Sequence, residues 1–147
     1  MLLTEFDDNR QAIINPEDLN EPLEGFPKIA VSCFSRSTFQ RMLEMFPHEL
    51  IYETSMANVA IPIYKLVIDE HELALFNAPV GASACVAILE DIFALGADKL
   101  VLFGTCGVLD EDIKETSIII PSHALRDEGT SFHYVEASNE IAVNVGV

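Results

Sequence analysis

Apolar positions along this chain follow two periods. Residues 28–33 form a short apolar run of strand length. Phe39, Met42, Leu43 and Phe46 then recur at helical spacing. Ser35 or Ser37 stands where a helix cap belongs, and Pro47 ends the pattern. Residues 61–68 and 73–77 are strand-like, with Asp69, Glu70, His71 and Glu72 as the polar turn of a predicted β-hairpin. A second helix is predicted from Ser83, a natural N-cap, to Gly96, a natural stop. Its apolar residues Val86, Ile88, Leu89, Ile92, Phe93 and Leu95 cover more than one stripe, as in a helix that is buried or at a subunit contact.

Residues 99–103 follow as a strand, giving the order strand, glycine-bearing turn, helix, strand that marks an α/β layer. Beyond Gly107, residues 117–120 read as a strand ending at Pro121, and residues 123–126 as a further extended piece. Residues 127–138 make a polar and aromatic loop. Ser138, Asn139 and Glu140 open a helical turn shortly before Val147. Residues 1–27 are acidic and broken by Pro16, Pro22, Gly25 and Pro27, so they read as an N-terminal arm outside the core. The expected domain therefore spans residues 28–147.

Composition narrows the class. The 147 residues suffice for one domain with a real core. Half of them are hydrophobic, yet the apolar runs stay strand-sized, well short of the ~18 residues of a membrane span. Dense short runs fit strands covered on both faces. The N-terminus lacks the basic and apolar regions of a signal peptide. Cys33, Cys85 and Cys106 are three in number, widely spaced and without a C-x-x-C pair. They support neither a zinc site nor a disulfide framework, and a cytoplasmic setting is expected. A net charge of −16 argues against nucleic acid as a partner. It also requires that any small anionic substrate meet a local cluster of donors.

Three places could supply such donors. Gly104, Thr105, Cys106 and Gly107 follow the strand 99–103, and ligands of open α/β sheets bind beyond the carboxyl ends of strands. Glycines there let backbone N–H groups face an oxyanion, and Thr105 adds a hydroxyl. Taken alone, such a turn more often binds nothing. Arg36, one of eight basic residues, follows the first strand and has the guanidinium that clamps phosphate. In isolation it is more commonly a solvated helix-start arginine. The stretch from Arg126 to Tyr134 offers Asp127, Glu128 and the titratable His133. There the favoured reading is structural, with Arg126 paired to a carboxylate. Cys106 has no histidine near it in sequence and reads as a small packing residue. His48 and His71 lie in polar turns, and His123 stays ambiguous.

The order of three blocks says more than any one of them. Pro79-Val80-Gly81-Ala82-Ser83 opens the buried helix. Ala94-Leu95-Gly96-Ala97-Asp98-Lys99 leads into Leu102-Phe103-Gly104-Thr105-Cys106-Gly107. Ile118-Ile119-Ile120-Pro121 precedes Arg126-Asp127-Glu128-Gly129-Thr130-Ser131-Phe132-His133-Tyr134. In this the chain resembles the purine-nucleoside and uridine phosphorylase superfamily, closely from about residue 61 to residue 140. The resemblance implies an α/β three-layer sandwich around a mixed sheet, incomplete at the C-terminus, in a homo-oligomer. It implies cleavage of a nucleoside's N-glycosidic bond by phosphate, giving ribose 1-phosphate and base, with no metal or cofactor beyond phosphate as co-substrate. The physical logic is an oxocarbenium-like sugar stabilised by an anion.

Carried onto this chain, the resemblance makes Arg36, Gly104 and Thr105 phosphate-binding. It puts Gly81, Cys106 and Gly107 beside ribose and base. Two departures stand out. Leu102 occupies the place of the family's arginine two residues before the loop glycine, and Cys33-Phe34-Ser35 replaces a glycine-aspartate-proline turn. Each lost charged hydrogen bond costs roughly 1.5–3 kcal/mol of anion binding. The residues that bind base and ribose hydroxyls in the family's second half have no counterpart here. A hydrolytic nucleosidase of the same fold, or an inactive fragment or binding module, are therefore the alternatives.

Overall fold

The computed structural model describes residues 4–113 and 118–143. The chain divides into two compact units, one of Asn9–Gly104 and one combining Met1–Asp8 with Thr105–Val147.

The first unit is built on a five-stranded sheet in the order β2-β3-β4-β1-β5. The strands are β1 (Ile29–Cys33), β2 (His48–Met56), β3 (Val59–Ile68), β4 (His71–Phe76) and β5 (Lys99–Phe103). β4 and β5 flank β1 in parallel, while β3 runs antiparallel to both β4 and β2. The sheet is thus mixed, as expected. Helices α1 (Pro16–Leu19), α2 (Arg36–Met45) and α3 (Ala82–Leu95) complete the unit.

Strand alternation sends neighbours to opposite faces. Ala30 and Ala74 join Ile61, Ile63 and Phe76 under α3, through Cys85, Ile88, Ile92 and Leu95. Val31 and Leu75 face the other way, joining Cys33 and Leu66 under Phe39, Met42 and Leu43 of α2. Helices therefore cover both faces of the sheet around β1, β3 and β4, which explains why those runs are so apolar, while Val101, Leu102 and Phe103 of β5 stay exposed.

The predicted hairpin is present, with Ile68 opposite His71 and both turn residues at positive φ, Asp69 at 47° and Glu70 at 68°. Two left-handed residues match the twist of the strands they join. Ser35 caps α2, accepting the Thr38 N–H at 3.2 Å. α3 starts earlier than its sequence suggests. Its N-cap is Gly81 at φ 116°, and Ser83 already lies inside the helix. Gly96, at φ 129°, ends it.

Two elements escaped the sequence pattern. β2 is a sheet-edge strand in which only Thr54 is buried, so it shows no apolar alternation. The acidic segment before residue 28 also contributes to the core, because Phe26 is buried under α3. Leu23 N–H bonds the Leu95 carbonyl at 3.0 Å, and Asn20 Nδ2 donates to Asp91 of α3 at 2.8 Å.

The second unit is small and polar at its centre. β6 (His123–Leu125) pairs antiparallel with β7 (Glu140–Ala142), so the turn expected to open helically at Ser138–Glu140 leads into a strand instead. Residues 118–120, expected as a strand, are exposed chain without regular structure, and Ser117 lies outside the described residues. The loop between β6 and β7 includes a 3-10 turn, Thr130–His133.

Arg126 organises that loop and is only 7% exposed. Its Nε donates to Ser131 Oγ at 2.9 Å, and Nη1 to the Glu136 carbonyl at 2.5 Å and Ser138 Oγ at 2.8 Å. Nη2 donates to the Val135 carbonyl at 3.1 Å, and the guanidinium lies 4.2 Å from the Phe132 ring centre. Among the described residues its hydrogen bonds go to carbonyls and hydroxyls and its plane lies on a ring face, and the carboxylate of Glu128 acts on it through charge rather than as the expected ion-pair contact. Glu128 instead accepts the Thr130 and Ser131 N–H groups at 2.8 and 3.1 Å. The Ser131 side chain, those N–H groups and the Arg126 charge hold its carboxyl below the ordinary range, against a smaller desolvation effect.

Candidate functional site

The three parallel strands end level. Cys33 pairs with Phe103, and Ser32 with Phe76, so the chain leaves β1, β4 and β5 at one edge of the sheet. Arg36 lies just beyond β1, Gly81 beyond β4, and Gly104 directly after β5. The fold thus gathers three of the candidate residues at one end of the first unit. From the neighbouring strands β1 and β4 the chain departs to opposite faces, into α2 and α3 respectively. That divergence is a topological switch point, where open α/β sheets leave a crevice for ligands.

The local electrostatics favour an anion despite the chain's overall charge. α2 and α3 both begin beside this crevice, and neither has an acidic residue in its first turn. No acid in those turns opposes their partial positive charges, while the Thr38 N–H of α2 is taken by its Ser35 cap. Arg36 is exposed and joins no ion pair among the described residues. The Ser35 and Ser37 hydroxyls lie 2.9 Å apart beside it.

Gly104 owes its identity partly to Phe34. A Cβ at Gly104 would come within 3.3 Å of the Phe34 ring, tight for any side chain. The Phe34 N–H reaches the Phe103 carbonyl at 3.4 Å, fastening the exits of β1 and β5. Leu102, in the place of an arginine, is 45% exposed on β5.

Thr105, Cys106 and Gly107 open the second unit and are exposed chain without regular structure. The packing role read for Cys106 is therefore not what the fold provides, since nothing buries its thiol. Cys33 and Cys85 are the buried thiols, and desolvation raises the pKa of each.

Sequence reasoning passed over Ser32 and Asn77 at this edge. A hydroxyl in an otherwise apolar strand and an amide directly after a strand were the available signals. A separate hollow of about 470 Å³ lies among α1, β2 and α3, lined by residues such as Leu19, Asn20, Tyr52, Thr54 and Asp91. It touches none of Arg36, Gly81 and Gly104, and its polar groups bond one another. Asn20 and Thr54 donate to the two oxygens of Asp91 at 2.8 and 2.6 Å. Among the described residues, no group of three or more His, Cys, Asp or Glu is placed to hold a metal, and no helix is long and apolar enough to cross a membrane.

Known proteins match this chain over its greater part. The model of the phosphorylase superfamily matches residues 28–145. A guanosine phosphorylase of Halorubrum lacusprofundi is 27% identical over 74 residues, 48% of this chain and 31% of that protein. A uridine phosphorylase from Vibrio fischeri, complexed with 6-hydroxy-1-naphthoic acid, superposes with a TM-score of 0.68 at 18% identity. That match covers 82% of this chain and 51% of the other. A second structure of the Vibrio fischeri enzyme gives a TM-score of 0.54 at 15% identity, over 71% of this chain and 42% of that one. This chain thus spans about half the length of the solved structures that it matches, and less of the guanosine phosphorylase.

Proposed function

Because the chain belongs to the phosphorylase superfamily, we propose that it is the phosphate-side part of a nucleoside phosphorylase. The reaction is pentosyl transfer: phosphate displaces the base from a nucleoside, giving ribose 1-phosphate. The observation that carries this reading is the placement of Arg36, Gly81 and Gly104 at the switch-point edge, by two helices whose first turns hold no acid. Arg36 and Gly104 hold the phosphate, and Gly81 adjoins the ribose and base. A phosphate there stabilises positive charge developing on the sugar, which is the interaction that has to strengthen in the transition state. The working form is a homo-oligomer in the cytoplasm.

Release of base from inosine, guanosine and uridine, with and without phosphate, tests the reaction. Phosphate-dependent release, with Arg36→Ala weakening phosphate binding by about tenfold or more, is the expected result. Release at equal rates with and without phosphate rejects phosphorolysis. The hydrolytic alternative rests on Leu102, which removes one guanidinium that an anionic nucleophile would use and a water would not. Phosphate binding without any base release identifies a binding module.

A further inference from the structure

We propose that Asn77 and Ser32 are positioning residues that set the width of the anion-binding crevice, a role that rests on the phosphate reading above. Ser32 and Phe76 are the last paired residues of β1 and β4. Past them the two chains part, one toward α2 and the other toward α3, and backbone pairing stops. Two backbone groups at that fork are met by side chains instead. Asn77 Nδ2 donates to the Cys33 carbonyl, and the Ala78 N–H donates to Ser32 Oγ at 3.0 Å.

The fastening is reciprocal. A side chain from the exit of β4 holds the exit of β1, and a side chain from β1 holds the exit of β4. Ser32 is fully buried and Ala78 is 3% exposed, so water does not replace the bond between them. A buried hydroxyl without a partner is costly, and here the fork supplies the partner. Arg36 lies three residues beyond Cys33, and Gly81 four beyond Asn77. The Phe34 N–H, bonded to the Phe103 carbonyl, ties the third exit. The donors that would meet an anion are thereby held at a set spacing before it arrives, which lowers the ordering cost of binding.

The test is titration of the whole chain with inorganic phosphate, followed by amide NMR, in Asn77→Leu and Ser32→Ala. Asn77→Leu keeps a similar volume and removes the donor. Ile92→Val, fully buried near the C-terminal end of α3 and away from the strand exits, is the control for lost stability alone. Wild type binds phosphate, and each crevice variant weakens binding about fivefold to tenfold. The control stays within twofold. The Ala78 amide exchanges faster in Ser32→Ala. Wild-type binding with both crevice variants within twofold of it overturns the positioning role. So does an Ala78 amide whose exchange Ser32→Ala leaves unchanged. A wild-type chain that binds no phosphate overturns the phosphate reading itself, and this role with it.

Discussion

The two units are organised by opposite means. In Asn9–Gly104, packing dominates: a sheet sandwiched by α2 and α3 buries Ile63, Phe76, Ile92 and their neighbours, and polar groups serve its edges. Among the described residues of the unit containing Thr105–Val147, the buried group is a guanidinium rather than an apolar cluster, and the chain wraps around Arg126 through four hydrogen bonds and one aromatic face. The comparison shows that one chain can be ordered by nondirectional apolar burial in one part and by directional bonds to a single residue in another. The first tolerates change of detail as long as volume is kept. The second depends on one side chain.

Truncating the packed core has the largest expected effect. Phe76 is fully buried between sheet and α3, so Phe76→Ala should cost about 3–5 kcal/mol of the first unit's stability. Denaturant melts of the whole chain, read together with amide exchange in each unit, measure it. Equal loss of protection in both units would abolish the distinction drawn here.

Arg126→Met keeps an unbranched chain but strands the carbonyls of Val135 and Glu136 and the hydroxyls of Ser131 and Ser138. Each group left dry costs about 1–3 kcal/mol, less where water enters. The expected outcome is loss of amide protection between β6 and β7 while the five-stranded sheet keeps its own. An unaffected β6–β7 loop would mean that Arg126 is not its organiser.

Acid has the smallest effect. The Glu128 carboxyl titrates below its ordinary value of 4.5 in the folded chain, so its contribution is fully present above that value. It is lost as pH falls through the lower, folded value. Protection of the Thr130 and Ser131 amides, taken relative to their intrinsic exchange at each pH, should fall as the solution is acidified through the lowered Glu128 value, and Glu128→Gln should flatten that dependence. A wild-type profile as flat as the variant's would remove Glu128 from the loop's support.

What could be read without the fold follows the same division. Residues 28–33, 61–68 and 83–95 were legible because burial of repeated faces writes a period into the sequence, and 99–103 as a short apolar run of strand length, although β5 itself is largely exposed. The helix cap at Ser35 and the stop at Gly96 were legible because they are local backbone chemistry. β2 was not, since an edge strand with one buried residue needs no apolar alternation. Nor was the strand at Glu140–Ala142, held by its partner β6 through bonds that any residue's backbone can make.

For the site, sequence by itself determined the candidates, Arg36, Gly81 and the loop from Gly104 to Gly107, and the requirement that an anion find local donors in a chain of net charge −16. Only the tertiary structure decided that Arg36, Gly81 and Gly104 share one sheet edge, because that depends on the order β4-β1-β5 and on parallel register between residues more than forty positions apart. It also decided that Ser32 and Asn77 fasten that edge. A hydrogen bond across a fork joins groups distant in sequence, and no periodicity of the chain records it.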